Sequence, residues 1–217
     1  HRRPSGQGIR LRRKSLVRLR ENAIETLKLG GPLIAAQIAQ ISIGFVDTVM
    51  AGQLSARDLA AVAVGSNILF SIVVVVMGLM VSVSPSVSQL YGAGKYEEIG
   101  HCLREGLWLS QGAAWLCFFA VRGLAPALMA WLGVSPEIVP GTMGYLNAIT
   151  WGIPGFSAYQ ALRNFSEGVS QTKPVMFASL LALGGNITGN TIFMYGKLGM
   201  PRLGATGCGV ASAIVMW

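Results

Sequence analysis

The sequence predicts an all-α membrane protein, a bundle of six transmembrane helices, and three observations carry that prediction. Hydrophobic residues make up 52% of the chain and charged residues only 12%, a balance that excludes a water-soluble domain. The charges cluster between long charge-free windows, and a bilayer-crossing helix needs ~20 mostly apolar residues. Glycine is abundant, at 28 residues, as it is where helices pack closely in lipid.

The first 24 residues read as a basic cytoplasmic tail. Eight of the 17 basic residues lie before residue 21, a juxtamembrane cluster suited to anionic lipid headgroups. The net charge of +8 therefore points to a membrane surface and not to nucleic acid. A signal peptide does not fit, because the apolar stretch is long, contains Asp47 and is followed by further spans. A transmembrane lobe then fills residues 25–217.

The spans follow from the charge-free windows. The first covers about residues 29–51, and the second about 61–84, within a window free of any charge. The third covers about 105–122 and is closed by Arg122; the apolar stretch 123–133 is short and reads as interfacial or as an extension of that helix. The fourth covers about 140–163, where Pro154 between Gly152 and Gly155 predicts a kink and a candidate hinge. The fifth covers about 174–196, and the sixth about 205–217, where it is cut short. Pro32 and Pro174 sit near helix N-termini, where proline is tolerated. A chain that starts at His1 and stops at Trp217 within an apolar run reads as a fragment.

Loop charges give the orientation. With the N-terminus inside and one crossing per span, thirteen basic residues fall inside and four outside. The positive-inside rule then predicts a multi-pass protein of the inner (plasma) membrane with a cytoplasmic N-terminus.

Asp47 is the sole ionisable group between residues 30 and 56. A carboxylate at that depth costs about 2.5–3.5 kcal/mol on insertion scales, so it marks a functional site by default. Gln40 lies seven residues earlier, on the same helix face. Asn186 and Asn190, four apart, share a face of the fifth span, with Thr188 and Thr191 close in sequence. A carboxylate, amide oxygens and a hydroxyl suit a hard cation such as Na⁺ at Asp47, Asn186 and Asn190. The same carboxylate can instead carry a proton, and the asparagines can instead glue helices together; the residues alone leave these uses open. Tyr145, Trp151 and Tyr159 on the fourth span form a possible pocket for organic cations, or packing and belt residues. Arg122 and Arg163 sit at span ends, where arginine snorkels.

Other chemistry finds no support. Tyr91-Gly92-Ala93-Gly94-Lys95 follows an apolar helix, so it does not read as a phosphate loop. Cys102, Cys117 and Cys208 have neither metal nor disulfide spacing and read as packing residues. No nucleophile–base constellation is present, and an enzyme is not expected.

Several stretches, in order, carry a family resemblance. They are Pro32-Leu33-Ile34-Ala35, Gly44-Phe45-Val46-Asp47-Thr48-Val49-Met50-Ala51-Gly52, Asp58-Leu59-Ala60-Ala61-Val62-Ala63 and Gln89-Leu90-Tyr91-Gly92-Ala93-Gly94. They continue with Gln160-Ala161-Leu162-Arg163, Thr172-Lys173-Pro174, Asn186-Ile187-Thr188-Gly189-Asn190, Tyr195-Gly196-Lys197-Leu198-Gly199 and Gly204-Ala205-Thr206-Gly207-Cys208-Gly209-Val210-Ala211. Together they resemble the NorM-like branch of the multidrug and toxic compound extrusion (MATE) family over residues 25–217.

The resemblance implies the N-terminal lobe of a twelve-helix transporter built from two six-helix lobes. It implies alternating-access exchange of Na⁺ or H⁺ for organic, often cationic drugs, with no cofactor beyond the coupling ion. The partners so implied are the lipid bilayer, drug substrates and a C-terminal lobe absent from this sequence. The family's N-lobe cation site falls on Asp47, Gln40, Asn186 and Asn190, and Ser212 stands where other members carry a threonine hydroxyl. A lipid-linked saccharide flippase of the same superfamily, or a non-transporting membrane scaffold, are the alternative readings. Span interiors without Arg or Lys weigh against the flippase.

Overall fold

The computed structural model describes the backbone of residues 6–217 and the side chains from residue 27 onward, except that of Leu29. The predicted basic tail, 1–24, therefore lies outside the described residues at its first five positions and outside the described side chains throughout. The described residues are helical and contain no strand.

Helix α1 spans Gly6–Leu54, and its apolar part, Gly30–Leu54, is long enough to cross a membrane. A single residue, Ser55, separates it from α2 (Ala56–Val81). Ser55 caps α2 by accepting from the Asp58 amide at 3.0 Å and donates its hydroxyl to Asp58 Oδ2 at 2.7 Å, a variant of the capping box. Asp58 Oδ1 in turn accepts the amide of Ala205, 2.9 Å away, at the first residue of α8 (Ala205–Met216). One carboxylate thus sits at two helix N-termini, where the dipoles favour negative charge.

The charge-free window gives α2 and α3 (Val83–Gly92), which follow one another as a single apolar column. Helix α4 (Tyr96–Trp131) does not stop at Arg122 but runs on through it, so the stretch after Arg122 extends the third helix. The guanidinium is accommodated 4.8 Å over the Phe118 ring and 5.4 Å over that of Trp151. It also donates to the Asn147 carbonyl at 3.0 Å. Trp108 and Trp131, both largely exposed, lie ~35 Å apart along this helix at 1.5 Å per residue. That separation is comparable to the ~30 Å hydrocarbon thickness of a bilayer.

The fourth span is broken where Pro154 predicts it. Helix α5 (Val139–Ile149) leads into a 3₁₀ turn, Thr150–Gly152, and then α6 (Ile153–Gly168). Proline has no N–H to give the Thr150 carbonyl. The Ile153 amide bonds that carbonyl instead, which tightens the turn. Helix α7 (Lys173–Gly189) passes into a π turn, Asn190–Met194. Of the six spans, four are continuous apolar helical stretches long enough to cross a membrane. The fourth is divided by its 3₁₀ turn, and α8 is 12 residues long.

Small residues let α8 approach α5 and α7 closely. A side chain on Gly189 would place its Cβ 2.9 Å from Ala211 Cβ, one on Gly209 would reach within 3.1 Å of Ala148 Cβ, and one on Gly152 within 2.9 Å of Ala213 Cα. Without water to drive association in lipid, such close backbone contact is what holds helices together. Overpacking costs about 1–3 kcal/mol, so Gly152→Val should lower the unfolding temperature of the detergent-solubilised protein. Gly112→Ala, inside α4 where a Cβ meets nothing within 4 Å, should leave it unchanged or raise it, and equal melting temperatures for the two variants would contradict this packing.

Candidate functional site

The close seating of α8 against α7 brings polar groups from two helices around Asp47 of α1. Its side chain is buried, with 7% of the residue exposed. Oδ1 accepts from Asn190 Nδ2 at 2.6 Å and Asn186 Nδ2 at 3.1 Å, and Oδ2 accepts from the Ser212 hydroxyl at 3.2 Å. Asn186 is the hub: its amide also reaches Ser212 Oγ at 3.3 Å, and its Oδ1 accepts from Asn190 at 3.3 Å. Both asparagines are fully buried. Asn190 Oδ1 has no hydrogen-bond partner, which leaves one oxygen beside the carboxylate free to accept. The ion pairs among the described residues are Lys95–Glu98 and Arg163–Glu167, so no basic side chain among them neutralises Asp47.

Local structure explains the placement. Asn186 and Asn190 sit one helical turn apart, at the point where α7 widens into its π turn. Single π turns inside α-helices recur at functional sites. The widened turn leaves the Phe193 carbonyl to accept from the Leu203 amide at 3.1 Å. Thr188 and Thr191 donate back to their own helix, to the Gly184 and Ile187 carbonyls at 2.9 and 2.8 Å, and do not join the cluster. Cys208 lies fully buried in the hydrophobic core, four residues before Ser212 on α8, as a packing residue.

Gln40 stands apart from this cluster. Its Oε1 accepts from Arg163 Nη1 at 2.6 Å, and its Nε2 lies 3.4 Å from the Tyr159 hydroxyl. That hydroxyl pairs with Ser179 Oγ at 2.9 Å. Arg163 does not snorkel: its side chain is 15% exposed and also donates to Glu167 at 2.9 Å and Gln37 at 3.1 Å. The three aromatic residues considered as a pocket lie in three places. Tyr145 is buried in the core against Gly65. Trp151 packs on Phe118, with ring centroids 5.0 Å apart, beneath Arg122. Tyr159 belongs to the Gln40 network. Pro154 sits at the break in the fourth span, its carbonyl accepting from Gln111 Nε2 at 3.0 Å.

The family description that matches this chain is MatE, over residues 32–192. Several solved structures share its fold. An outward-facing multidrug resistance MATE family transporter of the MOP superfamily superposes with a TM-score of 0.80 at 22% identity, covering 88% of this chain and 42% of that one. The Vibrio cholerae MATE transporter VcmN in its bent form gives 0.78 at 19% identity, with 89% and 43% covered. A MOP superfamily transporter from Pyrococcus furiosus, described as having a binding pocket of reversed polarity, gives 0.74 at 22% identity, with 88% and 42% covered. The chain thus spans less than half the length of each.

A hub and a spoke should differ in cost. Asn186→Ala strips one donor from a buried carboxylate and leaves Ser212 and Asn190 each short of a partner, which should destabilise by about 2–4 kcal/mol. Ser212→Ala removes one hydroxyl donor, held to the carboxylate by a long bond, and should cost about 1.5 kcal/mol. Thermal unfolding in detergent ranks the two, and the reverse ranking would contradict the hub.

Proposed function

The chain belongs to the MatE family, and from that premise we propose that it forms the N-terminal lobe of a secondary active multidrug efflux antiporter. The lobe exchanges Na⁺ or H⁺ for organic drugs by alternating access. It lies in the inner (plasma) membrane with its N-terminus in the cytoplasm, facing a C-terminal lobe that completes the transporter.

One observation carries this reading: a buried carboxylate, held by three donors and lacking any basic partner among the described residues. A structural charge at such depth is normally paired. Asp47 is instead hydrogen-bonded only by neutral groups, which hold its geometry and leave its charge in place. Those groups fit a cation: both asparagines carry an amide oxygen, one of them unpartnered, and Ser212 carries a hydroxyl. Turning the carboxamides presents oxygens in place of N–H groups, the donor set a hard cation such as Na⁺ takes. A proton would bind the carboxylate directly and neutralise it.

Either ion removes the reason for the asparagine and serine donors to point at Asp47. The contacts of α1 with α7 and α8 then change, and with them the surface offered to drug. The ion drives transport only to the extent that it binds one conformation better than the other. Pro154, packed beside the end of α8 through Gly152 and Gly155, is the candidate hinge.

Asp47→Asn keeps the shape and removes the charge. In proteoliposomes of the complete transporter, ion-driven drug efflux should fall by about fivefold or more, as expected when a coupling free energy of roughly 1–3 kcal/mol is lost. Efflux at the wild-type rate would end the proposal.

A further inference from the structure

The assignment of Asp47 as the coupling-ion site is the starting point of this inference, which concerns the ion's route to the cytoplasm. Two polar rungs cross the seam between α1 and α7. The upper rung is Asp47 with Asn186. The lower rung is Gln40, Tyr159 and Ser179. Gln40 precedes Asp47 by seven residues on α1, and Ser179 precedes Asn186 by seven on α7. Seven residues are two helical turns, so on each helix the two groups face the same way, ~10 Å apart. Between the rungs on α1 lies Gly44, where a Cβ would meet nothing within 4 Å. The lower rung adjoins a cleft of about 410 Å³ lined by Gln37, Gln40, Ser84, Gln160, Arg163 and Glu167. In that lining the buried Gln160 Oε1 has no hydrogen-bond partner.

We propose that the coupling ion moves between Asp47 and this cleft along the α1–α7 seam, and that the Arg163–Gln40 contact is the gate on that path. A dehydrated cation, or a proton, moves through lipid-embedded protein between oxygens. The lower rung supplies three: Gln40 Oε1, Tyr159 Oη and Ser179 Oγ. Arg163 Nη1 holds Gln40 Oε1 at 2.6 Å, so that oxygen is taken and a fixed positive charge stands where the ion must pass. Like charges at such range in a low-dielectric setting repel strongly. Glu167, 2.9 Å from Arg163 Nε, gives the guanidinium a place to rest when it swings off Gln40. Gln37 is released in the same movement, because Nη2 of the same guanidinium holds it. Opening the gate therefore frees two points on α1 at once.

The complete transporter in proteoliposomes tests this, with a Na⁺ or H⁺ gradient imposed, no drug present and internal ion followed by a trapped fluorescent indicator. Arg163→Gln keeps a polar side chain and removes the charge; drug-independent ion leak should rise by about tenfold. Arg163→Lys keeps the charge and should stay near the wild-type leak. Tyr159→Phe combined with Ser179→Ala removes two hydroxyl oxygens without touching Asp47. It should slow drug-driven ion exchange severalfold and leave equilibrium ion binding unchanged. Equal, low leak in the Gln and Lys variants overturns the gate, and wild-type exchange in the double variant overturns the path. Failure of the unmodified transporter to couple ion to drug would instead remove the Asp47 assignment, so the two failures are distinguishable.

Discussion

The structure depends on how one buried carboxylate is satisfied. Asp47 is buried and has no basic neighbour among the described side chains, so neutral donors hold it, and they come from α7 and α8. A charge so placed is tolerable only while every donor is in position. That requirement ties the first, fifth and sixth spans together at one point. Under the proposed function it also makes the arrangement conditional, because a positive ion or proton bound there would change what the donors have to do.

Close packing provides the donors. Ser212 reaches the carboxylate because α8 is pressed against α5 and α7, and it can be pressed there because Gly189, Gly209 and Gly152 have no side chains. In lipid these contacts cannot draw on the hydrophobic effect, since hydrocarbon surrounds both free and packed helices. Shape complementarity and interhelical hydrogen bonds remain. The glycine content read from the sequence and the polar cluster at the centre are thus two parts of one arrangement.

Some of this was legible in one dimension and some was not. A lone charge in an apolar run is a linear signal, so Asp47 stood out, and so did Pro154, whose missing N–H breaks the span. Asn186 and Asn190 were found as a pair by helical spacing, and Ser212 entered through the family resemblance. Gln40 shows the limit of such reasoning. Helical phase places it correctly below Asp47, yet two turns are ~10 Å, while an oxygen ligand must lie within ~2.6 Å of a hard cation. A shared face is not a shared site. Arg163 looked like a snorkelling span-end residue because nothing in the local sequence reveals the glutamines of α1, more than a hundred residues away. Tyr145, Trp151 and Tyr159 were grouped as residues of one helix. The 3₁₀ turn that holds Trp151 and the tight packing of Tyr145 separate them.

Asp58 makes one rim of the lobe answerable to a single side chain. There a short, partly buried carboxylate clasps the starts of α2 and α8 together, and Arg57 adds a 2.6 Å bond to the Glu137 carbonyl. At the opposite rim, α1 and α6 are linked through Arg163, while Gly168 of α6 seats so closely on α3 that a Cβ there would come within 2.8 Å of Val87. Both rims are thus tied, one by a carboxylate shared between helix starts and the other by a guanidinium laid across a tight α3–α6 contact.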